Sequence, residues 1–188
     1  MADFPGGEHN ATVAFALGDK GYLGTGNAYG TTTLKDFYAF DPARNTWTRV
    51  ADFGGEPIYG ATSFTTADKG YLVGGVINNT QRVNTCWEFD PRQNAWTRKA
   101  DYPGAALTDG SGFSLAGRAF FGLGGITNTT PGAQLYEYNP QGNVWSEQPS
   151  FPGPLRFGKA WGSIGEIGLF GMGENRTMQE DLWAFLPK

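Results

Sequence analysis

The sequence has few of the residues that most often carry out chemistry, since it contains one cysteine, Cys86, and one histidine, His9. A single cysteine excludes an intramolecular disulfide and a metal site built from several thiolates. A Ser-His-acid triad would have to use His9, and no Gly-x-Ser-x-Gly turn accompanies it. We therefore predict no metal ion and no cofactor.

Charge and long apolar runs are also scarce. Charged residues make up 17% of the chain and give a net charge of −4. Phosphate binding needs clustered Lys and Arg, which the sequence lacks, so we expect no nucleic-acid partner. No stretch is long or apolar enough to span a membrane, and no long run repeats at the helical period.

Aromatic residues and glycine are abundant, and they recur at a fixed period. The chain is 15% aromatic and has 29 glycines, a mixture that favours short, tightly turned strands. Trp47, Trp96 and Trp145 lie 49 residues apart, and the pair Asp41-Pro42 recurs at the same spacing as Asp90-Pro91. The fourth unit is shortened by two residues after Gly173. A period of this length is typical of repeat architectures.

Each unit reads as four short strands, a to d, separated by turns. In the first unit, Val13, Phe15 and Leu17 alternate with smaller residues, as in a strand with two unlike faces. An Asp-Pro turn, which favours chain reversal, then leads to the strand that carries the Trp. We predict an all-β propeller of four tandem, four-stranded antiparallel blades in one domain, residues 1–188. The blades cover approximately residues 8–50, 57–99, 106–148 and 155–188.

The repeated units resemble the kelch repeat. The diglycine Gly74-Gly75 follows an aromatic-containing strand, and an aromatic residue precedes the Trp by seven positions, as in Phe89 and Trp96. The amino-acid sequence of the units is most similar to that of bacterial kelch-repeat proteins of the galactose-oxidase-like kind. The first unit departs from the pattern with Gly24-Thr-Gly26, and the fourth unit has no strand-d Trp.

Alignment of the two ends of the sequence with the repeat predicts that the last blade lacks its outer strand. Lys188 aligns with Ala43, in the turn before strand d, and Met1 aligns with Val50, at the end of that strand. The chain could therefore be part of a longer propeller, which would be exported if its parent is bacterial. Alternatively, two copies could pair as a homodimer that forms an eight-bladed ring. A plain three-stranded last blade is the third possibility.

The resemblance implies that the d–a and b–c loops share one face around the central channel, so candidate ligand-binding residues are those that break the repeat there. A rim of Asn, Tyr, Arg and single acids suits hydrogen bonding and stacking with a glycan or a protein. The candidates are His9, Asn10, Tyr29, Tyr59, Asn79, Arg82, Asp109, Asn128, Arg156, Trp161, Asn175 and Arg176.

Trp161 has two interpretations. In the other units, Phe15, Phe64 and Phe113 occupy the position of Gly162, so a slip of one residue would place Trp161 in the core. Without a slip, Trp161 and Lys159 would project toward the central channel. The sequence favours the slipped register and leaves both orientations of Trp161 open.

The leading functional hypothesis is a non-enzymatic binding module for a protein or a glycan. A carbohydrate-active epimerase or mutarotase is the alternative, because bacterial kelch propellers include such enzymes and the chemistry would require only Arg and acid groups. It would use Arg156, Glu8 and Glu174. A purely structural repeat scaffold is the third hypothesis.

Overall fold

The computed structural model describes residues 1–175 and 177–187, which form strands, turns and loops. The first repeat contains β1 (Val13–Leu17), β2 (Lys20–Gly24), β3 (Asn27–Ala28), β4 (Thr32–Thr33), β5 (Phe37–Asp41) and β6 (Thr46–Arg49). The second contains β7 (Ile58–Tyr59), β8 (Thr62–Thr65), β9 (Gly70–Val73), β10 (Val76–Ile77), β11 (Gln81–Arg82), β12 (Cys86–Asp90) and β13 (Ala95–Lys99). The third contains β14 (Ser111–Leu115), β15 (Arg118–Gly122), β16 (Leu135–Asn139) and β17 (Val144–Gln148). The fourth contains β18 (Ala160–Ile164), β19 (Ile167–Gly171), β20 (Glu174–Asn175), β21 (Thr177–Met178) and β22 (Leu182–Phe185).

The longer strands of each repeat form one antiparallel sheet, numbered here first to fourth, and short strands form the separate ladders β3-β4, β11-β10-β7 and β20-β21. The first three sheets have four strands each, ordered β1-β2-β5-β6, β8-β9-β12-β13 and β14-β15-β16-β17. In the fourth, the described residues supply three strands, β18-β19-β22. The predicted all-β architecture of antiparallel units of about four strands is confirmed. No helix within the described ranges is long and apolar enough to cross a membrane.

The innermost strands of neighbouring sheets pack against one another in the order β1, β8, β14, β18. Hydrogen bonds from side chains fix this contact, because Ser63 Oγ donates to the carbonyl of Ala14 at 2.8 Å. Thr62 Oγ1 donates in the same way to the carbonyl of Gly110 at 3.2 Å. The four inner strands therefore lie side by side and line one channel.

Aromatic rings fill the three interfaces between sheets in the same way each time. The ring of Phe89 lies 5.4 Å from Tyr22 of the preceding sheet, and Tyr138 lies 5.4 Å from Tyr71. Phe185 repeats the contact with Phe120 at 5.2 Å. Because each sheet contributes one aromatic face to its successor, the core consists of repeated slabs rather than a single cluster.

The turn before each outer strand is held by an acid or amide at its first position. Asp41 Oδ1 accepts a hydrogen bond from the backbone N–H of Arg44 at 3.0 Å, and Asp90 Oδ1 accepts one from Arg92 at 2.8 Å. Asn139 does the same for Gly142 at 3.0 Å. These residues therefore form the turns and contribute nothing to a ligand site.

The fourth sheet has one apolar face without a neighbour in the described chain. Ile164 is 71% exposed and Leu182 is 66% exposed. Their counterparts in the first sheet, Leu17 and Phe37, are buried against the second sheet. The exposure therefore follows from position in the stack and not from a different strand pattern.

Candidate functional site

The segments that enter strand a and the long b–c loops meet at one end of the molecule. Tyr59 pairs with Val76 in a short antiparallel ladder, and Asn10 forms a bridge with Asn27. Thr108 and Phe157 make the equivalent bridges to Gly125 and Glu174. The arrangement that the kelch resemblance implies for these loops is therefore present in all four repeats.

The predicted ligand-binding residues differ widely in exposure. Those on the surface are Asn10, Tyr29, Asn79, Asp109, Asn128, Trp161 and Asn175. Tyr59, Arg82 and His9 are partly buried, whereas Arg156 is 4% exposed. Arg176 lies outside the described residues.

His9 and Arg156 occupy equivalent positions, and both are engaged by an acid inside the fold. His9 Nε2 lies 3.1 Å from Asp36 Oδ1, and the His9 side chain is 3% exposed. The Arg156 guanidinium forms a bidentate pair with Asp181, with Nη2 to Oδ2 at 2.9 Å. That guanidinium also donates to the carbonyls of Pro154 and Met172. These two residues therefore break the repeat for a structural reason and present no free group to a ligand.

The acids Asp36 and Asp181 also occupy equivalent positions, so each departure from the repeat involves two residues that contact each other. Asp36 and Asp181 occupy the position that Thr85 and Gln134 hold in the two middle repeats. The middle repeats place Ile58 and Leu107 at the partner position, both almost fully buried. A His–Asp hydrogen bond in the first repeat and an Arg–Asp ion pair in the last thus replace an apolar side chain in the middle two.

Hydrogen bonds join the b–c loops of the first three repeats into a rim. Asn79 Oδ1 accepts from Thr33 Oγ1 at 3.0 Å, and the carbonyl of Asn79 accepts from Tyr59 Oη at 3.3 Å. Arg82 Nη2 donates to Asn128 Oδ1 across the next boundary. These residues stiffen the loop face and leave most of its polar surface open to solvent.

The register of β18 decides the orientation of Trp161. Trp161 pairs with Phe170, as Gly112 pairs with Phe121 in the third sheet. Gly162 pairs with Leu169 at the position where Phe113 pairs with Phe120. The strand has therefore not slipped, and the prediction that Trp161 replaces a core Phe is wrong. Its ring, 42% exposed, lies in the channel instead.

Two cavities follow the channel between the inner strands. The cavity nearer the loop rim has a volume of about 280 Å³ and is lined by residues from all four repeats, including Thr12, Ser63, Asp109, Lys159 and Trp161. The second, of about 370 Å³, continues past Trp161 along the inner strands. Ligand pockets in proteins commonly measure about 300–1,000 Å³, so the channel has a suitable size for a small ligand.

The side chains that line the channel are large in the fourth repeat and small in the other three. At the position of Trp161, the other repeats have Ala14, Ser63 and Gly112. One inward-facing position earlier, Lys159 corresponds to Thr12, Ala61 and Gly110. The fourth repeat therefore supplies the only bulky or charged side chains at these two channel levels, facing backbone and small hydroxyl groups.

Lys159 is a partly buried cation at the channel entrance. Its Nζ donates to the carbonyl of Asp109 at 3.5 Å. Burial lowers the pKa of Lys159 to about 8, Asp109 raises that pKa and nearby Arg156 lowers it. Asp109 itself has a φ of 51°, where the equivalent residues of the neighbouring repeats are Gly60 and Gly158. Asp tolerates this conformation better than most side chains, and the turn presents its carboxylate at the rim.

The residues of the enzyme hypothesis do not line the channel cavities. Glu8 and Glu174 are exposed on the loop face, and Arg156 is bonded to Asp181. Neither channel cavity has any of the three in its lining. The candidate ligand-binding residues did not include Thr12 and Ser63, which alignment of the inward-facing positions of strand a would have revealed, and Lys159 was considered only for the unslipped register.

A model of the Kelch motif matches residues 57–101, which include the diglycine and Trp96 of the second repeat. The chain therefore carries a Kelch motif and has the fold of a kelch-type β-propeller. Among solved structures, it is similar to YjhT with a TM-score of 0.77 and 18% sequence identity. The likeness covers 95% of this chain and 66% of the YjhT chain, so the protein spans less than two thirds of that length. Identity at this level shows the fold alone, and no curated protein matches the chain.

Proposed function

We propose that this kelch-repeat protein is a non-enzymatic binding module whose ligand, a glycan, enters the channel beside Trp161 and Lys159. The observation that carries the proposal is the register of β18, in which Trp161 pairs with Phe170 and lies in the channel. A large aromatic ring is costly to leave in contact with water, and exposed aromatic residues in concave sites are frequent ligand contacts.

The chemistry of the channel matches a saccharide. Trp161 offers a flat apolar face on which the C–H side of a sugar ring can stack, and Ser63, Ser114 and Ser163 supply hydroxyl groups along the wall. Lys159 and Asp109 add one donor and one acceptor at the entrance. A ligand with alternating apolar and hydroxyl surface is complementary to this combination.

The loop rim extends the same surface outward. Tyr29 is 79% exposed, and Asn10, Asn128 and Asn175 are also on the surface of this end of the molecule. Amide side chains both donate and accept hydrogen bonds, which suits contacts with further sugar units beyond the channel. A protein segment reaching the same rim is the competing ligand, and the experiment below separates the two.

Trp161→Ala is the variant that tests the proposal. We expect it to weaken binding to the best ligand of an oligosaccharide array roughly 10–100-fold, since aromatic anchors dominate binding energies. Ala14→Trp, which would place a second ring in the same cavity, should abolish binding by filling the space. Equilibrium constants are measured by titration calorimetry with the array ligand.

Val144→Ala is the matched control, because Val144 is exposed on the outer strand β17, away from the channel. It should bind like the unaltered protein. If Trp161→Ala binds glycans unchanged while its fold is intact, the channel is not the glycan site. If the array shows no glycan ligand and a protein ligand loses affinity in Trp161→Ala, the partner is a protein segment.

A further inference from the structure

A third cavity, of about 520 Å³, lies beside residues 53–58, the segment that connects the first sheet to the second. Every residue that lines it belongs to the first two repeats, between Lys35 and Arg98. None of them lines either channel cavity. We call this cavity the lateral pocket. It is therefore a second concave surface, distinct from the channel.

The floor of the lateral pocket is apolar and includes an indole ring. Phe53, Ile58 and Val83 are 2%, 1% and 9% exposed. The ring of Trp87, on β12, meets Phe53 edge-on with centroids 5.4 Å apart, and Trp87 is only partly buried. Aromatic rings pack well against one another in edge-on or offset arrangements. The floor therefore offers a surface on which the ring of a ligand can lie.

Gly54 leaves space for the Trp87 ring. A Cβ at Gly54 would meet Trp87 Cζ3 at 2.9 Å and Trp96 Cβ at 2.8 Å, both too close for an ordinary contact. The other three repeats have a proline at this position, namely Pro5, Pro103 and Pro152. The second repeat alone therefore brings the backbone of this segment directly against the indole.

One cation and one anion lie together at the mouth of the pocket. The N–H of Phe53 donates to the carbonyl of Lys35 at 2.7 Å, and the N–H of Ile58 donates to the carbonyl of Leu34 at 3.2 Å. These two bonds hold Lys35 beside the segment that carries Glu56. Both side chains are exposed, and neither forms an ion pair within the part of the chain that the structure describes. Both charges are therefore available to a ligand.

Arg98, which also lines the pocket, is engaged by other groups. Its Nε donates to Asp101 Oδ1 at 3.0 Å, and its guanidinium carbon lies 5.6 Å from the centroid of the Trp87 ring. Arg98 faces Trp87 across β12 and β13, which fixes this stacking. Because Asp101 balances its charge, Arg98 contributes a planar surface, and the available charges remain those of Lys35 and Glu56.

We propose that the lateral pocket binds a free aromatic amino acid, whose ring lies on the floor beside Trp87 while its carboxylate faces Lys35 and its ammonium group faces Glu56. The apolar floor matches the ring, and the neighbouring opposite charges match the zwitterion. An aromatic acid alone would bring its carboxylate near Glu56, and an aromatic amine would bring its charge near Lys35. The cavity volume lies within the usual range of small-molecule sites, about 300–1,000 Å³. This site is independent of the glycan proposal.

Titration calorimetry of the 188-residue protein with L-tryptophan tests the proposal. We expect saturable binding with a dissociation constant on the order of 1 mM or below. Indolepropionate lacks the ammonium group and tryptamine lacks the carboxylate, so each should bind roughly 3–5-fold more weakly, a modest loss because both protein charges are exposed. The amide of N-acetyltryptophan lacks both charges and should bind roughly 10–25-fold more weakly.

Substitutions taken from other repeats test each charge while keeping the frame. Glu56→Ala introduces the residue found at Ala105, and it should abolish the preference for tryptophan over indolepropionate. Lys35→Asn introduces the residue found at Asn84, and it should abolish the preference for tryptophan over tryptamine. Each variant should retain the preference that depends on the other charge. A preference that survives removal of its own charge would overturn the assignment of that contact.

Trp87→Tyr tests the floor, since the third repeat has Tyr136 at this position. It should weaken all four ligands roughly 5-fold or more, because part of the stacking surface is lost. Glu166→Ala is the matched control, which removes an exposed acid from the turn between β18 and β19 and should leave all affinities unchanged. Absence of tryptophan binding by folded protein at millimolar ligand would overturn the proposal. So would equal binding of the N-acetyltryptophan amide, because the occupant would then be an aromatic side chain of a polypeptide.

Discussion

The third and fourth sheets have the same repeat, yet the apolar residues of the third sheet are buried (the sealed sheet) and several of those in the fourth are exposed to solvent (the open sheet). In the third, Tyr138 is 1% exposed beneath Trp145, and Phe120 and Phe121 are fully buried. In the fourth, Ile164 is 71% exposed and Leu182 is 66% exposed. Ile164 and Leu182 correspond to Leu115 and Leu135, which are 1% and 2% exposed in the third sheet, so burial at these positions depends on a following sheet. Stability in a stacked repeat is a property of the interfaces between units.

The comparison also separates two kinds of tryptophan. Trp145 lies between rings of two sheets and donates a hydrogen bond, whereas Trp161 lies on the channel wall with much of its ring in solvent. The first holds the frame together and the second is available to a ligand. The position of each ring relative to its neighbours, and not its residue type, distinguishes the two roles.

Removal of the Trp145 ring should have the largest effect on the free energy of unfolding. Trp145→Ala should lower the free energy of unfolding by about 3–5 kcal/mol, because it leaves a cavity among Phe64, Tyr102 and Phe121. Leu182→Ala in the open sheet should change it by less than about 0.5 kcal/mol. Urea denaturation followed by circular dichroism measures both. Equal losses in the two variants would contradict the distinction between sealed and open sheets.

The ion pair of the fourth sheet should have the next largest effect. Asp181→Gln should destabilise the protein less than Trp145→Ala does, because it leaves the Arg156 guanidinium buried without a counter-charge, an effect reduced by the partial exposure of Asp181. Adding Arg156→Leu reproduces the pair Leu107 and Gln134 of the third repeat and should recover most of the loss. A double-mutant cycle in urea measures the coupling.

The Arg156–Asp181 pair should also make the stability of the protein decrease at low pH. The Arg156 guanidinium beside Asp181 holds the pKa of that carboxyl well below its usual range. A lowered pKa stabilises the fold above the ordinary value near 3.9, and this contribution is lost as the pH falls below it. The acid sensitivity of unfolding should therefore be smaller in the double variant. An unchanged pH profile would show that Asp181 makes no such contribution.

Much of the frame could be predicted from the sequence, because each determinant is local and occurs several times. The alternation around Phe15 predicts a strand, the Asp41-Pro42 turn predicts its reversal, and the 49-residue period extends both to the other units. The missing outer strand follows from counting the same period. Repetition supplies several examples of each feature, which compensates for the ambiguity of any single one.

The channel and the ion pairs could not be predicted in the same way. Whether Trp161 faces the core or the channel depends on a shift of one residue, and either register fits an isolated strand pattern. Arg156 looked like a free rim residue because its partner, Asp181, lies 25 residues away. The signal was nevertheless present, since His9 with Asp36 and Arg156 with Asp181 depart from the repeat together. Comparison of pairs of positions would have found them.

The smallest expected effect concerns Lys159, where the third sheet has Gly110. Burial lowers the pKa of Lys159 to about 8 in the folded protein, whereas its ordinary value is near 10.5. Between these two pH values the Lys159 side chain is therefore protonated more fully in the unfolded protein than in the folded protein. Stability should therefore rise between pH 8 and pH 9.5, on the order of 1 kcal/mol given the partial burial. Lys159→Met should remove this rise. Burial also raises the pKa of the Cys86 thiol, whose ionisation in the unfolded chain opposes the rise above about pH 9, and it raises the pKa of Tyr22 and Tyr71, which oppose it above pH 10. The contribution of Lys159 is therefore the difference between the unaltered protein and Lys159→Met at each pH. A rise that persists in Lys159→Met would assign it to another group and leave the channel cation with an ordinary pKa.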